Sequence, residues 1–270
     1  MKKNYRRVLT IAGSDPSGGA GIQADLKTFS ACGCYGTSAI VAVVDENTVG
    51  VTGVHPVPVD FVIGQIQSVL DDIGADAVKI GMLHSSELIR AVKATLAKYD
   101  IKNIVLDPVM VATSGDKLLQ DEAIETLKRE LIPFARIITP NIPEAEVLLN
   151  RKIERQSDLP LVIRELSVGG KVSVLLKGGH LKEELLTDVL FNAEKAEIIN
   201  FPSKRIHTNN THGTGCTFSS AIAAFLAYEL PLTDAVRHAK KYMKGAITAG
   251  AEYEIGKGHG PVHHFFAYWE

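Results

Sequence analysis

Asn210-Thr211-His212-Gly213-Thr214-Gly215-Cys216-Thr217-Phe218-Ser219-Ser220, continued by the apolar run 221–227, is the stretch on which the reading of this chain turns. Two glycines and several hydroxyl residues stand directly before an Ala-rich segment of helical character. A helix start carries backbone N–H groups without intrahelical partners and a partial positive charge. Glycines there let the main chain approach an anion closely, so the stretch reads as a phosphate cradle opening a helix. Cys216 sits where that approach is closest and adds a thiol to the cradle.

Outward from this cradle, apolar β-branched runs alternate with helical patterns. Strands are expected at 8–13, 37–44, 76–80, 103–106, 136–139, 171–177 and 185–191. Helices are expected at 20–31, 60–72, 86–99, 121–131, 142–149 and 156–167, then at 214–228 and 232–252 with Pro231 in the join. Ser85 and Asp121 are suitable helix caps. Near-continuous apolar strands mark a parallel sheet covered on both faces. The alternation therefore predicts an α/β fold, a three-layer α/β/α sandwich with a mostly parallel central sheet. Residues 192–195 separate two short apolar runs and read as a hairpin at a sheet edge. No repeat or linker interrupts the pattern, so residues 1–270 read as a single domain.

The composition narrows the partners. With 270 residues, 46% hydrophobic and 22% charged, the chain has ample material for a core, and its net charge of −2 makes no electrostatic case for nucleic acid or an anionic membrane. The basic cluster Lys2, Lys3, Arg6 and Arg7 precedes an apolar stretch too short for an export signal or a membrane span, so a cytoplasmic protein is expected. Three cysteines make no disulfide framework, and Cys32-Gly33-Cys34 reads as small thiols packed between a helix and a strand.

Chemistry-bearing residues gather just after the strands, where ligands bind in such folds. A first glycine-rich segment, Gly13-Ser14-Asp15-Pro16-Ser17-Gly18-Gly19-Ala20-Gly21, follows the first strand, with Asp25 on the helix behind it. Gly19-Ala20-Gly21-Ile22-Gln23-Ala24 matches the dinucleotide fingerprint, and Asp45 and Glu46 lie where a ribose-binding acid belongs, which keeps a dinucleotide-dependent oxidoreductase as an alternative. That reading leaves the second cradle at 213–215 without use, whereas two cradles suit one small substrate and one nucleotide. Asp107 ends a strand before Pro108, and Asn141 and Glu144 follow another. Together they offer hard oxygen ligands of the kind Mg2+ shares with phosphates. Glu144 also suits the first turn of a helix. Lys177 closes a buried strand, where an anion such as a nucleotide phosphate would meet its charge. Asp188 interrupts an apolar strand and is read as outward-facing, with a place near the nucleotide as the other reading. Arg237, Lys240, Lys241 and Lys244 follow helical spacing and read as a solvated face, and His259, His263 and His264 as surface or packing residues.

The motifs GSDPSGGAGIQAD, KIGML, DPVM, TPNIPEAE, LKGGH, NTHGTGCTFS and GKGHGPVHHF resemble bacterial hydroxymethylpyrimidine/phosphomethylpyrimidine kinases of thiamine biosynthesis, in the ribokinase-like superfamily. The resemblance implies ATP, Mg2+, a small pyrimidine alcohol as acceptor and a homodimer. It places Gly213, Gly215 and Cys216 at the transferring phosphoryl group. Asn141, Glu144, Lys177, Asp188 and Thr211 would lie at ATP, with Gly213 reaching it too, and Asp107 and Glu144 at the metal. Gly13, Asp25, Met82 and Val109 would line the pyrimidine pocket. Cys216 would either take the hydroxyl proton or close the anion hole. Pyridoxal kinases share the loop and are the alternative. One departure concerns the pocket: the family commonly has Ala-Gln-Asn-Thr where this chain has Asp45-Glu46-Asn47-Thr48. A Gln amide both donates and accepts, whereas an ionised Glu46 only accepts.

Overall fold

Aliphatic and β-branched residues fill the central strands so completely that both faces of the sheet are dry. In β1 (Arg7–Ala12), Val8 packs into one core cluster while Leu9 and Ile11 pack into the other, following the two-residue period of a strand. The computed structural model describes residues 3–110, 119, 121–180 and 183–269. After β1 come α1 (Gly21–Ala31), β2 (Tyr35–Ile40), β3 (Ala42–Asn47), β4 (Gly50–Pro56), α2 (Val59–Asp72), β5 (Ala77–Ile80), α3 (Ser86–Leu96) and β6 (Ile104–Leu106). Then follow α4 (Asp121–Thr126), β7 (Ile137–Ile138), α5 (Ile142–Leu149), α6 (Leu159–Leu166), β8 (Ser173–Leu176), β9 (Leu185–Asn192), β10 (Glu197–Lys204), α7 (Thr214–Ala227) and α8 (Leu232–Gly250).

Eight strands form one sheet in the order β10-β9-β8-β7-β6-β5-β1-β2. The pairs from β2 to β8 are parallel, and β9 and β10 run antiparallel at one edge. Helices α1, α7 and α8 cover one face, and α2 to α6 cover the other, which gives the expected three-layer α/β/α sandwich. The hairpin at 192–195 joins β9 to β10 as read. Among the described residues no helix is long and apolar enough to cross a membrane.

The expected strand 37–44 breaks in two. β2 stops at Ile40, and β3 leaves the main sheet to pair with β4 as a separate two-stranded ribbon. No turn residue marks the break because its cause is tertiary. Gln65 from α2 takes both the N–H and the C=O of Ile40, and the next amides bond across the loop instead, Val41 N–H to Ala12 and Ser14 N–H to the Ala42 carbonyl. Ser85 caps α3 as expected, its hydroxyl accepting from Leu88 N–H. Asp121 is the first residue of α4, where it meets the helix dipole. The helix expected at 121–131 continues past Thr126 as a π turn, and that at 156–167 begins as a 3-10 turn before Pro160. Cys34 is buried and Cys32 partly so at the α1–β2 junction. In the N-terminal basic cluster Arg6 pairs with Glu229 and Arg7 with Asp76, while Lys2 lies outside the described residues.

Candidate active site

The loops at the carboxyl ends of β1, β3, β5, β6, β7 and β8, with the start of α7, enclose one continuous cleft of about 1140 Å3. Its floor is the first turn of α7. Gly213 holds a left-handed backbone at φ 71°, and a side chain there would put a Cβ 1.7 Å from the Gly19 carbonyl oxygen. The two glycine loops therefore touch backbone to backbone, and only glycine permits it. Among the described residues no side chain caps α7; the Thr214 amide bonds the Thr211 carbonyl, and the turn through Gly215 and Cys216 lines the cleft as an anion site. A Cβ on Gly215 would meet Lys177 Nζ at 3.2 Å and Asp107 Oδ2 at 3.7 Å, which sets both charged groups directly over the same turn.

The nucleotide side carries linked charges. Lys177 Nζ donates to Asp107 Oδ1 at 3.0 Å, and Thr139 donates to the same oxygen. Burial disfavours both charges, but each supports the other: Lys177 holds Asp107 below the usual carboxylate range, and Asp107 raises Lys177. Asn141 and Glu144 form a reciprocal capping box on α5, Glu144 N–H to Asn141 Oδ1 and Asn141 N–H to Glu144 Oε2. Burial pushes Glu144 up to about 7 despite Lys177 nearby. The structural and the cleft-facing readings of Glu144 both hold in geometry. Among the described residues these bonds engage Asp107 through Oδ1 and Glu144 through Oε2, so Oδ2 and Oε1 remain available to a cation. Two hard carboxylates in this partly dry setting fit Mg2+.

One sequence reading is corrected here. Asp188 is not outward-facing. It is buried, accepts from Gly178 N–H at 2.9 Å and pairs with Lys240 of α8. The basic stripe of α8 is solvated as read, with Arg237, Lys241 and Lys244 exposed and Lys240 half-buried, and the same four residues also stand along the cleft. The place of Asp188 was not legible because the strand pattern is blind to what α8 lays across β9. Thr211 also lines the cleft.

At the acceptor end, Gly13, Met82, Val109 and Glu46 line the cleft as expected. Asp25 does not. It is fully buried on α1, its Oδ2 taking Lys79 Nζ and the Thr10 hydroxyl and its Oδ1 taking the Ser220 hydroxyl. Lys79, which the sequence reading left out, is the member of that group that reaches the cleft wall. Apolar neighbours in β5 hid it, since a Lys in such a strand gives no periodic signal. His212 and Asp15 were also missed. Asp15 Oδ2 accepts from His212 Nε2 at 2.9 Å and from the amides of Gly19 and Ala20, while Oδ1 takes Ser17 N–H. Burial opposes its charge, but these bonds hold Asp15 far below the usual carboxylate range. Burial likewise opposes charge on His212, which Asp15 nonetheless raises above an ordinary imidazole. Glu46 lies 3.9 Å from His212 and is pushed up, first by burial and then by Asp15. Asp15, Glu46 and His212 could together surround a metal ion. The Asp15 oxygens are already taken by four donors, so an ion pair explains the cluster better. Cys216 is no acidic helix-start thiol: burial pushes it up to about 11, with Lys79 acting in the opposite sense and the Gly21 backbone bonded to it. His264 is buried against Thr217, in line with a packing role.

Residues 15–263 match the family model for phosphomethylpyrimidine kinase. The chain belongs to this family. It is 48% identical to the hydroxymethylpyrimidine/phosphomethylpyrimidine kinase of Escherichia coli (strain K12) over 262 residues, 97% of this chain and 98% of that one. It superposes on phosphomethylpyrimidine kinase from Clostridium difficile 630 with a TM-score of 0.78 and 46% identity, covering 89% of this chain and 99% of that one. It superposes on an ADP complex of Bacillus subtilis pyridoxal kinase with a TM-score of 0.89 and 37% identity, covering 97% and 98%. As a member of the phosphomethylpyrimidine kinase family, the chain is not a dinucleotide-dependent oxidoreductase. Geometry agrees: Glu46 lies on the ribbon β3–β4 and not at the end of β2, where a ribose-binding acid belongs.

Proposed function

We propose that this protein uses ATP to phosphorylate the hydroxymethyl group of 4-amino-5-hydroxymethyl-2-methylpyrimidine, and then phosphorylates the resulting monophosphate to the pyrophosphate for thiamine biosynthesis. The observation that carries the reading is the backbone contact between Gly213 and Gly19, which joins a phosphate cradle to an acceptor pocket in one cleft. In the first step the acceptor hydroxyl oxygen bonds to the γ-phosphorus, the bond to the β–γ bridging oxygen breaks, ADP leaves and the hydroxyl proton is released to water. In the second step a phosphate oxygen of the monophosphate attacks in the same way. Such transfers run on positioning and on stabilising the equatorial oxygens.

Lys177 and the first-turn amides of α7 meet the negative phosphoryl group. Asp188, latched by Lys240, holds the Gly178 amide and so fixes the loop that carries Lys177. Asp107 and Glu144 would hold Mg2+, which supplies neutralising charge at the phosphate oxygens when bound. Cys216 is assigned to the acceptor hydroxyl. With its thiol pushed up, closing the anion hole suits the resting protein better than standing ready as a thiolate base.

Pyridoxal kinase is the second reading, favoured by the higher TM-score and opposed by the lower identity. Side-by-side kcat/KM on the pyrimidine alcohol, its monophosphate and pyridoxine separates the two. Turnover of the monophosphate supports the proposal, and turnover of pyridoxine alone rejects it.

A further inference from the structure

Four elements converge on one buried carboxylate, that of Asp25. Lys79 of β5 and Asp25 of α1, both with fully buried side chains, form an ion pair at 2.9 Å. Thr10 of β1 and Ser220 of α7 each donate to Asp25 at 2.6 Å. Ser220 follows Cys216 by one helical turn, so both side chains leave α7 on the same side. Asp25 is thus tied to the helix that presents the thiol, and Lys79 extends from the tie to the cleft wall. A Cβ on Gly81 would meet Lys79 Nζ at 3.0 Å, so the ammonium lies beside the Gly81 backbone at the end of β5.

An ion pair this deep is a poor way to gain stability, because desolvation offsets most of the attraction. Its place at the wall of the cleft points to electrostatics there. The charged groups acting on the Cys216 sulfur are Lys79 from β5, Asp25 from α1, Asp107 after β6 and Lys177 after β8. Burial acts most strongly on the sulfur and opposes its charge; Lys79 is the foremost influence favouring it, ahead of the opposing Asp25 and Asp107.

We propose that Lys79 is a positioning residue for Cys216, its ammonium held by Asp25 against the thiol end of α7 so that negative charge can form on the sulfur. This rests on the assignment of Cys216 to the acceptor side, but its test needs no kinase turnover. The pH–rate profile of Cys216 alkylation by iodoacetamide is measured on the full chain. Mass spectrometry of the Cys216 peptide is the readout, so that Cys32 and Cys34 do not contribute. Lys79→Met should move the profile to higher pH and slow alkylation at a fixed pH below the thiol pKa by about tenfold. Lys79→Arg should restore most of the rate. If Lys79→Met does not fold, Lys79→Gln, which keeps a polar head for Asp25 but no charge, is read in the same way. A folded variant lacking the ammonium whose profile overlays that of the unaltered protein overturns the proposal. So does a Lys79→Arg profile displaced as far as that of the methionine variant. Displacement without any phosphorylation of the pyrimidine rejects the proposed function and leaves the role of Lys79 standing.

Discussion

His212 Nε2 stands 2.9 Å from Asp15 Oδ2, and this buried contact binds the second glycine loop to the first. Both partners are shifted toward their charged forms. The low folded pKa of Asp15 contributes stability that is present above the unfolded value and is lost as the pH falls through the folded one. The raised pKa of His212 contributes stability that is present below the unfolded value and is lost as the pH rises through the folded one. The pair is therefore worth most between about pH 4 and 6.5, the two unfolded values. His212→Gln should cost about 2–3 kcal/mol within that window and progressively less above it. Urea denaturation across the pH range measures this. A cost independent of pH would mean that His212 contributes packing and no charge.

Burial pushes Glu144 up to about 7, with Lys177 opposing the shift and Asp107 adding to it. A cation bound at Glu144 and Asp107 favours the ionised carboxylate, so binding of Mg2+ with the nucleotide should expel a proton near neutrality. Calorimetry at pH 7 in buffers of different ionisation enthalpy should show that release, and Glu144→Gln should abolish it. Equal proton release by the two proteins would remove Glu144 from the metal site.

Glu46 presents an acceptor at the pyrimidine end of the cleft, and burial and Asp15 raise its pKa. An ionised Glu46 pairs best with a protonated ring nitrogen. The KM for the pyrimidine alcohol should therefore depend on pH in the unaltered protein, and Glu46→Gln should flatten the dependence. If neither KM nor its pH dependence changes, Glu46 does not read the ring.

Asp188 fastens the Gly178 amide to Lys240. Asp188→Ala frees the loop that carries Lys177, so the KM for ATP should rise about tenfold, with a smaller change in the KM for the pyrimidine. Steady-state kinetics with each substrate varied in turn check this. An equal rise in both would assign Asp188 to general stability.

The layers, the parallel sheet and both glycine loops were legible because strand hydrophobicity and glycine placement are local signals. Asn141 and Glu144 were legible for the same reason, since a capping box spans four residues. What escaped the sequence depends on distant partners. Lys79 is read as an ordinary strand residue until Asp25 arrives from α1, and Asp188 as a surface residue until α8 lays Lys240 over it. The break at Val41 is invisible without Gln65 from α2. Cys216 shows the same limit in its chemistry: a helix start argues for an acidic thiol, and burial reverses that argument.

Incubation of the protein with 4-amino-5-hydroxymethyl-2-methylpyrimidine, ATP and Mg2+, followed by mass spectrometry of the products, tests the central claim most directly. The expected result is two successive phosphoryl additions to the pyrimidine, the monophosphate appearing first and the pyrophosphate after it. Absence of either product, with pyridoxine phosphorylated under the same conditions, would contradict it.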